Sequence, residues 1–203
     1  EDNDFCVGKK PMNVVSDPNF RWSTDLWAVS PPRISDDGRI ATNEQFETVF
    51  CSSTPFGTGA TTCLVKVHEP SAASVALGLC LIKQGKIDQS WKFSSNGTKF
   101  CGYAIETYGE SFGIGDIITI VLSEGRLSFH KNGKDLGVCF SGFEESHKHY
   151  YLRGYFAAGM LHGFPLPGKA NGGCLEILHD SQLATLKTTP GMTVIIVGLK
   201  ARE

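Results

Sequence analysis

The sequence predicts an all-β protein, a two-sheet antiparallel β-sandwich, and three observations carry that prediction. First, Ile117, Ile118, Ile120, Val121 and Leu122 form a short apolar run broken only by Thr119. A run this short and this rich in β-branched side chains, with Gly113, Gly115 and Asp116 before it, reads as a strand covered on both faces. Second, after the turn chemistry of Ser123-Glu124-Gly125, Leu127 and Phe129 alternate with Ser128 and His130, the period-two signature of a half-buried strand. Third, Asn132-Gly133 is a strong hairpin signal, because both residues tolerate the positive φ of a type I′ turn. The return strand is expected to carry Leu136, Val138 and Phe140 on one face and Asp135, Gly137 and Cys139 on the other. The three segments make an antiparallel meander.

Taken in order, residues 1–20 are mixed and polar, with Pro11 and Pro18 as breakers. Residues 22–29 read as a first strand, stopped by Pro31-Pro32. Asp37-Gly38 sits at the turn of a hairpin between Ile34 and Ile40. Phe46, Val49 and Phe50 lead into the next strand, and residues 55–59 form a turn-rich link. Cys63, Val65 and Val67 alternate with Leu64 and Lys66. Residues 68–74 read as a loop, 75–82 as a buried strand, and 84–89 as turn-forming around Gly85. Trp91 and Phe93 share a strand face, Asn96-Gly97 makes a tight turn, and residues 100–108 continue extended. Residues 141–148 are a polar loop and 150–158 a strand. Residues 159–173, with five glycines and two prolines, read as a long irregular segment. Leu175 and Ile177 mark a late strand, 181–187 a short helix, and 193–199 a last strand. No repeat, low-complexity tract or sustained helical period interrupts this pattern.

The chain has 203 residues and 41% hydrophobic content, enough for one domain with a real core. A net charge of −2 provides no footprint for nucleic acid or an anionic membrane, and no apolar run reaches membrane-spanning length. The seven cysteines are odd in number, lack a CxxC pair and fall mostly in strand-like segments. They read as free, buried thiols in a reducing compartment, the cytoplasm or nucleus. The chain opens on Glu1, which reads as a processed product or part of a longer protein.

Residues able to do chemistry are present but not assembled. No Gly-x-Ser-x-Gly elbow or activated cysteine occurs, so no catalytic residue is assigned. His147 and His149 would share one face of an extended segment, but no third ligand is spaced for them, and no metal or cofactor is expected. Gly109, Gly113 and Gly115 precede a strand rather than a helix, so they lack the helix dipole of a phosphate site. Asp36-Asp37 and Glu144-Glu145 read as solvated loop pairs. Asn96-Gly97-Thr98 fits a glycosylation acceptor, but the same residues make a turn.

Residues 108–140, YGESFGIGDIITIVLSEGRLSFHKNGKDLGVCF, resemble the central block of the SPRY domain. Gly115-Asp116, Leu127-Ser128-Phe129, Asn132-Gly133-Lys134 and Leu136-Gly137-Val138 match its motifs in order and spacing. Fainter likeness lies in STPFGTGATTCLVKV (53–67), ALGLC (76–80) and SWKFSSNG (90–97). The resemblance implies a concanavalin-like jelly-roll sandwich over residues 1–180, with 181–203 as a C-terminal extension packed on that domain or on a partner. It also implies a non-catalytic module that binds a peptide or folded protein through loops at the sandwich end, often within a larger protein or complex. The family loop that aligns near residues 159–163 contributes to such a surface. Met160, Leu161, His162, Phe164 and Leu166, apolar or aromatic in a Gly/Pro-rich segment, are the expected partner-binding residues. Cys63-Leu64-Val65, Thr119, Tyr151-Leu152 and Glu176-Ile177-Leu178 depart from the family pattern and mark a divergent member with a partner of its own. The alternative is a glycan-binding lectin-like sandwich using Trp22, Trp27 or Trp91 as its aromatic platform.

Overall fold

The computed structural model describes residues 20–28, 31–43, 48–56, 62–69, 74–144, 150–157, 160–161, 164–165 and 173–178. Sixteen strands are present among them: β1 (Trp22–Ala28), β2 (Arg33–Ile34), β3 (Ile40–Thr42), β4 (Thr48–Pro55), β5 (Thr62–Glu69), β6 (Ser74–Lys83), β7 (Lys86–Ser94) and β8 (Thr98–Cys101). They continue as β9 (Ala104–Thr107), β10 (Ile117–Ser123), β11 (Arg126–Lys131), β12 (Lys134–Ser141), β13 (Tyr150–Ala157), β14 (Met160–Leu161), β15 (Phe164–Pro165) and β16 (Cys174–Leu178). Fourteen of them form two seven-stranded sheets. Sheet A has the order β1-β4-β13-β6-β7-β8-β9, and sheet B the order β12-β11-β10-β5-β16-β3-β2. Every pairing is antiparallel, the sandwich the alternating pattern predicts.

The core lies between the sheets. Sheet A contributes Phe50, Leu77, Leu79, Phe93, Leu152 and Phe156; sheet B contributes Val65, Ile118, Ile120, Leu127, Phe129, Leu175 and Ile177. Phe93 is the hub of an aromatic cluster, its ring 5.3 Å from Phe129, 5.2 Å from Tyr108 and 5.0 Å from Phe112. Such pairs add about 0.5–1.5 kcal/mol each beyond burial, so they tie the segment before β10 to both sheets. Ile117, Thr119 and Val121, on the other face of β10, are also buried, so the strand is covered on both sides.

The meander forms as expected, with two residues in each turn. Glu124 and Gly125 take φ of 51° and 67°, Asn132 and Gly133 of 50° and 84°, the doubly positive pattern of type I′.

Its return strand departs from simple alternation. Leu127 pairs with Phe140, Ser128 with Val138 and His130 with Asp135, so β12 carries two extra residues relative to β11. Each bulge reverses the facing of the residues beyond it. Val138 is therefore 53% exposed and Cys139 only 3% exposed, so β12 does not keep Leu136, Val138 and Phe140 together on one face as a regular alternation would. Gly137, at φ 87°, accommodates the second bulge.

Three further expectations are corrected. Residues 84–89 contain only a two-residue turn, Gln84-Gly85, because β7 begins at Lys86 and pairs with Lys83. Residues 100–108 fold back at Gly102, whose φ of 59° allows the tight β8–β9 hairpin. His68 and Glu69 extend β5 instead of opening a loop, and Ser74 starts β6, where it pairs with Ala157. The expected helix at 181–187 and strand at 193–199 lie outside the described residues.

Candidate functional site

At one end of the sandwich the two sheets close on each other. Here β4 and β6 begin, β13 ends, β3 and β5 end, and β16 begins. The Asn43 amide donates to the Gly173 carbonyl at 3.0 Å. A Cβ on Gly173 would overlap the Phe156 ring of sheet A, so glycine permits this close approach.

Residues 108–116, between β9 and β10, cap the same end and are pinned from several sides. Tyr108 and Gly109 amides donate to the Gly97 carbonyl at 2.9 and 3.1 Å, and the Phe112 amide to Ser95 at 2.9 Å. The Asp116 carboxylate accepts from the Gly113 amide at 2.8 Å and from the Asn132 side-chain amide at 2.7 Å. Asn132 in turn accepts from the Ile117 amide at 2.8 Å, and Lys131 donates to the Ser111 carbonyl at 2.7 Å. A hydrogen bond and ion pair from Lys134 hold the exposed Glu110 carboxyl below its ordinary range. Phe112 anchors the loop inward. Ile114, held at its tip, is 73% exposed. A preformed loop spends little ordering entropy on binding, and an exposed aliphatic side chain on it offers contact area. Sequence reasoning did not select Ile114, although an apolar residue between two turn glycines was a readable signal.

The segment leading from β13 to β16 leaves and returns at this same end. Met160 and Leu161 form β14, and Phe164 opens β15; Met160 pairs with Pro165 and Leu161 with Phe164. A small hairpin thus interrupts a stretch expected to be irregular throughout, with His162 and Gly163 between its strands in sequence. His162 and Leu166 lie outside the described residues.

The other chemical candidates resolve into structural roles. Asp37 accepts from the Ser35 hydroxyl at 2.6 Å, the Arg39 side chain at 2.5 Å and the Arg39 amide at 3.1 Å. These bonds, Ser35 first, hold its carboxyl well below the usual range and clamp the β2–β3 turn. Asn96 accepts from the Thr98 amide and hydroxyl at 3.1 and 2.6 Å, a local turn that competes with any use as a sugar acceptor. His147 and His149 lie outside the described residues, and among the described residues no group of three or more His, Cys, Asp or Glu is placed to hold a metal. Cys51, Cys63, Cys80 and Cys139 are buried free thiols; Cys101 is exposed. Burial pushes Cys139 up to about 12 and Cys63 further. As for a sugar platform, Trp22 is buried against Phe50, and Trp91 packs on Phe143 and Tyr150 at 4.8 and 5.8 Å. The Trp22 ring is closed to solvent, and the half-buried Trp91 ring is engaged by those two aromatic neighbours. Trp27 lies on β1, and its side chain is outside the described set.

Known proteins point the same way. The SPRY domain family matches residues 56–160. The fold is similar to that of the SPRY domain of human HERC1, with a TM-score of 0.55 and 18% identity, covering 77% of this chain and 96% of that one. It is also similar to the NHR1 domain of Neuralized from Drosophila melanogaster, with a TM-score of 0.48 and 16% identity, covering 81% and 100%. With the family matched over half its length and the family's turn and strand motifs built as paired strands, the chain belongs to the SPRY domain family, whose domains serve as non-catalytic protein-interaction modules.

Proposed function

We propose that this SPRY domain captures one protein partner, a peptide or a folded surface, at the sandwich end bearing Ile114 and the 160–166 segment. Met160, Leu161, His162, Phe164 and Leu166 are its contact residues. The observation that carries the reading is the pinned 108–116 loop, which holds Ile114 outward at the end where the 158–173 segment leaves and rejoins the sheets. Binding there needs little backbone rearrangement, and a few apolar anchors supply most of the affinity. The free thiols accord with work in the reducing cytoplasm or nucleus, as part of a larger protein or complex.

The test is affinity capture from cell lysate, quantified by mass spectrometry, using wild type and the Met160→Asp/Leu161→Asp variant. A charge on each anchor should cost about 2 kcal/mol or more, so recovery of the specific partner is expected to fall at least about tenfold. Undiminished recovery would remove this segment from the interface.

A further inference from the structure

Among the described strands the two sheets leave four edges, β1, β9, β12 and β2, and three of them are defended against pairing. β1 is broken by a register shift between Ser23 and Trp27, and β2 is two residues long. β12 is bulged twice, and its Gly137 and Cys139 carbonyls already accept from the Tyr108 hydroxyl at 2.6 Å and the Lys99 ammonium at 3.3 Å. β9 has neither bulge nor side-chain cap. It pairs in regular register with β8 and exposes all four of its residues, Ala104 to Thr107. A two-residue hairpin closes on a hydrogen-bonded pair, here Cys101 with Ala104, so Ala104 and Glu106 turn their backbone groups toward β8. Ile105 and Thr107 present theirs outward, a donor and an acceptor at every second residue. Ile105 lies opposite Phe100, and Phe100 opposite Lys92, so Ile105 stands on the outer face of sheet A, 63% exposed. Glu106 lies opposite Lys99 and forms an ion pair with it at 3.0 Å.

We propose that β9 pairs with β9 of a second copy of this chain, antiparallel about a two-fold axis at Ile105, so that two sheets A join into one continuous sheet. The residues of β9 make this register self-complementary. Ile105 exchanges both backbone bonds with Ile105 of the second copy, their side chains meet on the outer face, and a Phe100 flanks the seam on each side. Glu106 falls opposite Ala104 of the second copy. A register centred on Glu106 sets like charges face to face at the closer, non-hydrogen-bonded spacing, which disfavours it. A foreign strand meets the same backbone edge, but only a second copy brings the matching isoleucine and keeps the carboxylates apart. So short a strand buries little area, so the association is weak, monomer at about 1 μM and increasingly dimer toward about 1 mM. The contact uses an edge strand and not the loop end, so partner capture does not depend on it.

The test is sedimentation velocity of the full chain over that concentration range, with hydrogen exchange read at the Ile105 amide. Wild type is expected to move from monomer toward dimer, and the Ile105 amide to slow as it does. Ile105→Pro removes the outward donor and leaves the ladder to β8, whereas Ile105→Lys sets two ammonium groups side by side at the axis. Both variants are expected to stay monomeric with a wild-type circular-dichroism spectrum, and the lysine variant decides the matter if the proline variant does not fold. Asp25→Lys, on the opposite edge of sheet A, is expected to dimerise as wild type does. Wild type that stays monomeric throughout overturns the inference. So does a dimer that Ile105→Lys leaves intact, or one that forms without protecting the Ile105 amide. Protection of that amide in monomeric protein by an unrelated extended peptide would give the edge to a foreign strand and overturn it as well.

Discussion

Single residues decide how closely the strands of sheet A approach. A Cβ on Gly78 would run into the carbonyl oxygen of Trp91 on the neighbouring strand, backbone that has no rotamer to give. A Cβ on Gly154 would lie 2.5 Å from the Phe50 ring, a side chain with some freedom to shift. Gly154→Ala is therefore expected to cost about 1–3 kcal/mol and Gly78→Ala more, as read from urea unfolding midpoints at constant slope. Equal losses would show that the sheet yields as readily as the ring. Asp37 provides the electrostatic case. Its folded carboxyl is depressed, so the stability it contributes is fully present above the ordinary aspartate range and drains away as pH falls toward its lowered value. Asp37→Asn should flatten the acid limb of the melting temperature against pH and leave the alkaline limb unchanged. An unaltered acid limb would mean the Ser35 and Arg39 bonds persist in the unfolded chain or carry no weight.

At the scale of elements, the meander shows where local pattern ends and tertiary geometry takes over. Its turns were legible, because Glu124-Gly125 and Asn132-Gly133 are residue pairs that accept positive φ. Its bulges were not, because Leu136-Gly137-Val138-Cys139-Phe140 reads as a regular alternation until β11 is laid beside it. The bulged strand leaves the Phe129 amide without a regular ladder partner, and the Tyr108 hydroxyl accepts from it at 3.3 Å while donating to the Gly137 carbonyl at 2.6 Å. Burial, first among its causes, raises the Tyr108 phenol well above its ordinary range, so the hydroxyl keeps its proton for that donation. Tyr108→Phe preserves the ring packing on Phe93 and removes both bonds. It should cost about 1–3 kcal/mol, the penalty for orphaning the amide of the buried Phe129. Amide exchange at Phe129 should quicken with it; unchanged exchange would mean another acceptor takes over. The Gly102 hairpin escaped notice for a related reason, since a lone glycine in an extended run signals a fold-back only when β8 and β9 have a sheet edge to join.

For the molecule as a whole, the sandwich class was legible from strand spacing and turn chemistry, but the strand order was not. The pairs that define it, β4 with β13 and β5 with both β10 and β16, join segments far apart in sequence, and side-chain alternation carries no address for a partner strand. The proposed interaction end was half legible. Apolar residues in a Gly/Pro-rich stretch pointed to 160–166, whereas Ile114, readable as an apolar residue between Gly113 and Gly115, gained weight only once its loop was seen pinned by Asp116, Asn132 and Lys131. The opposite end supplies the control, because Tyr103, in the β8–β9 turn, is fully exposed there. The decisive measurement compares partner capture by wild type, Met160→Asp/Leu161→Asp and Tyr103→Asp, with melting temperatures recorded in parallel. The account predicts that all three melt within a few degrees of one another, that the 160/161 variant loses its partner, and that the Tyr103 variant keeps it. Retention by the 160/161 variant together with loss by Tyr103→Asp would put recognition at the other end of the sandwich and contradict the assignment.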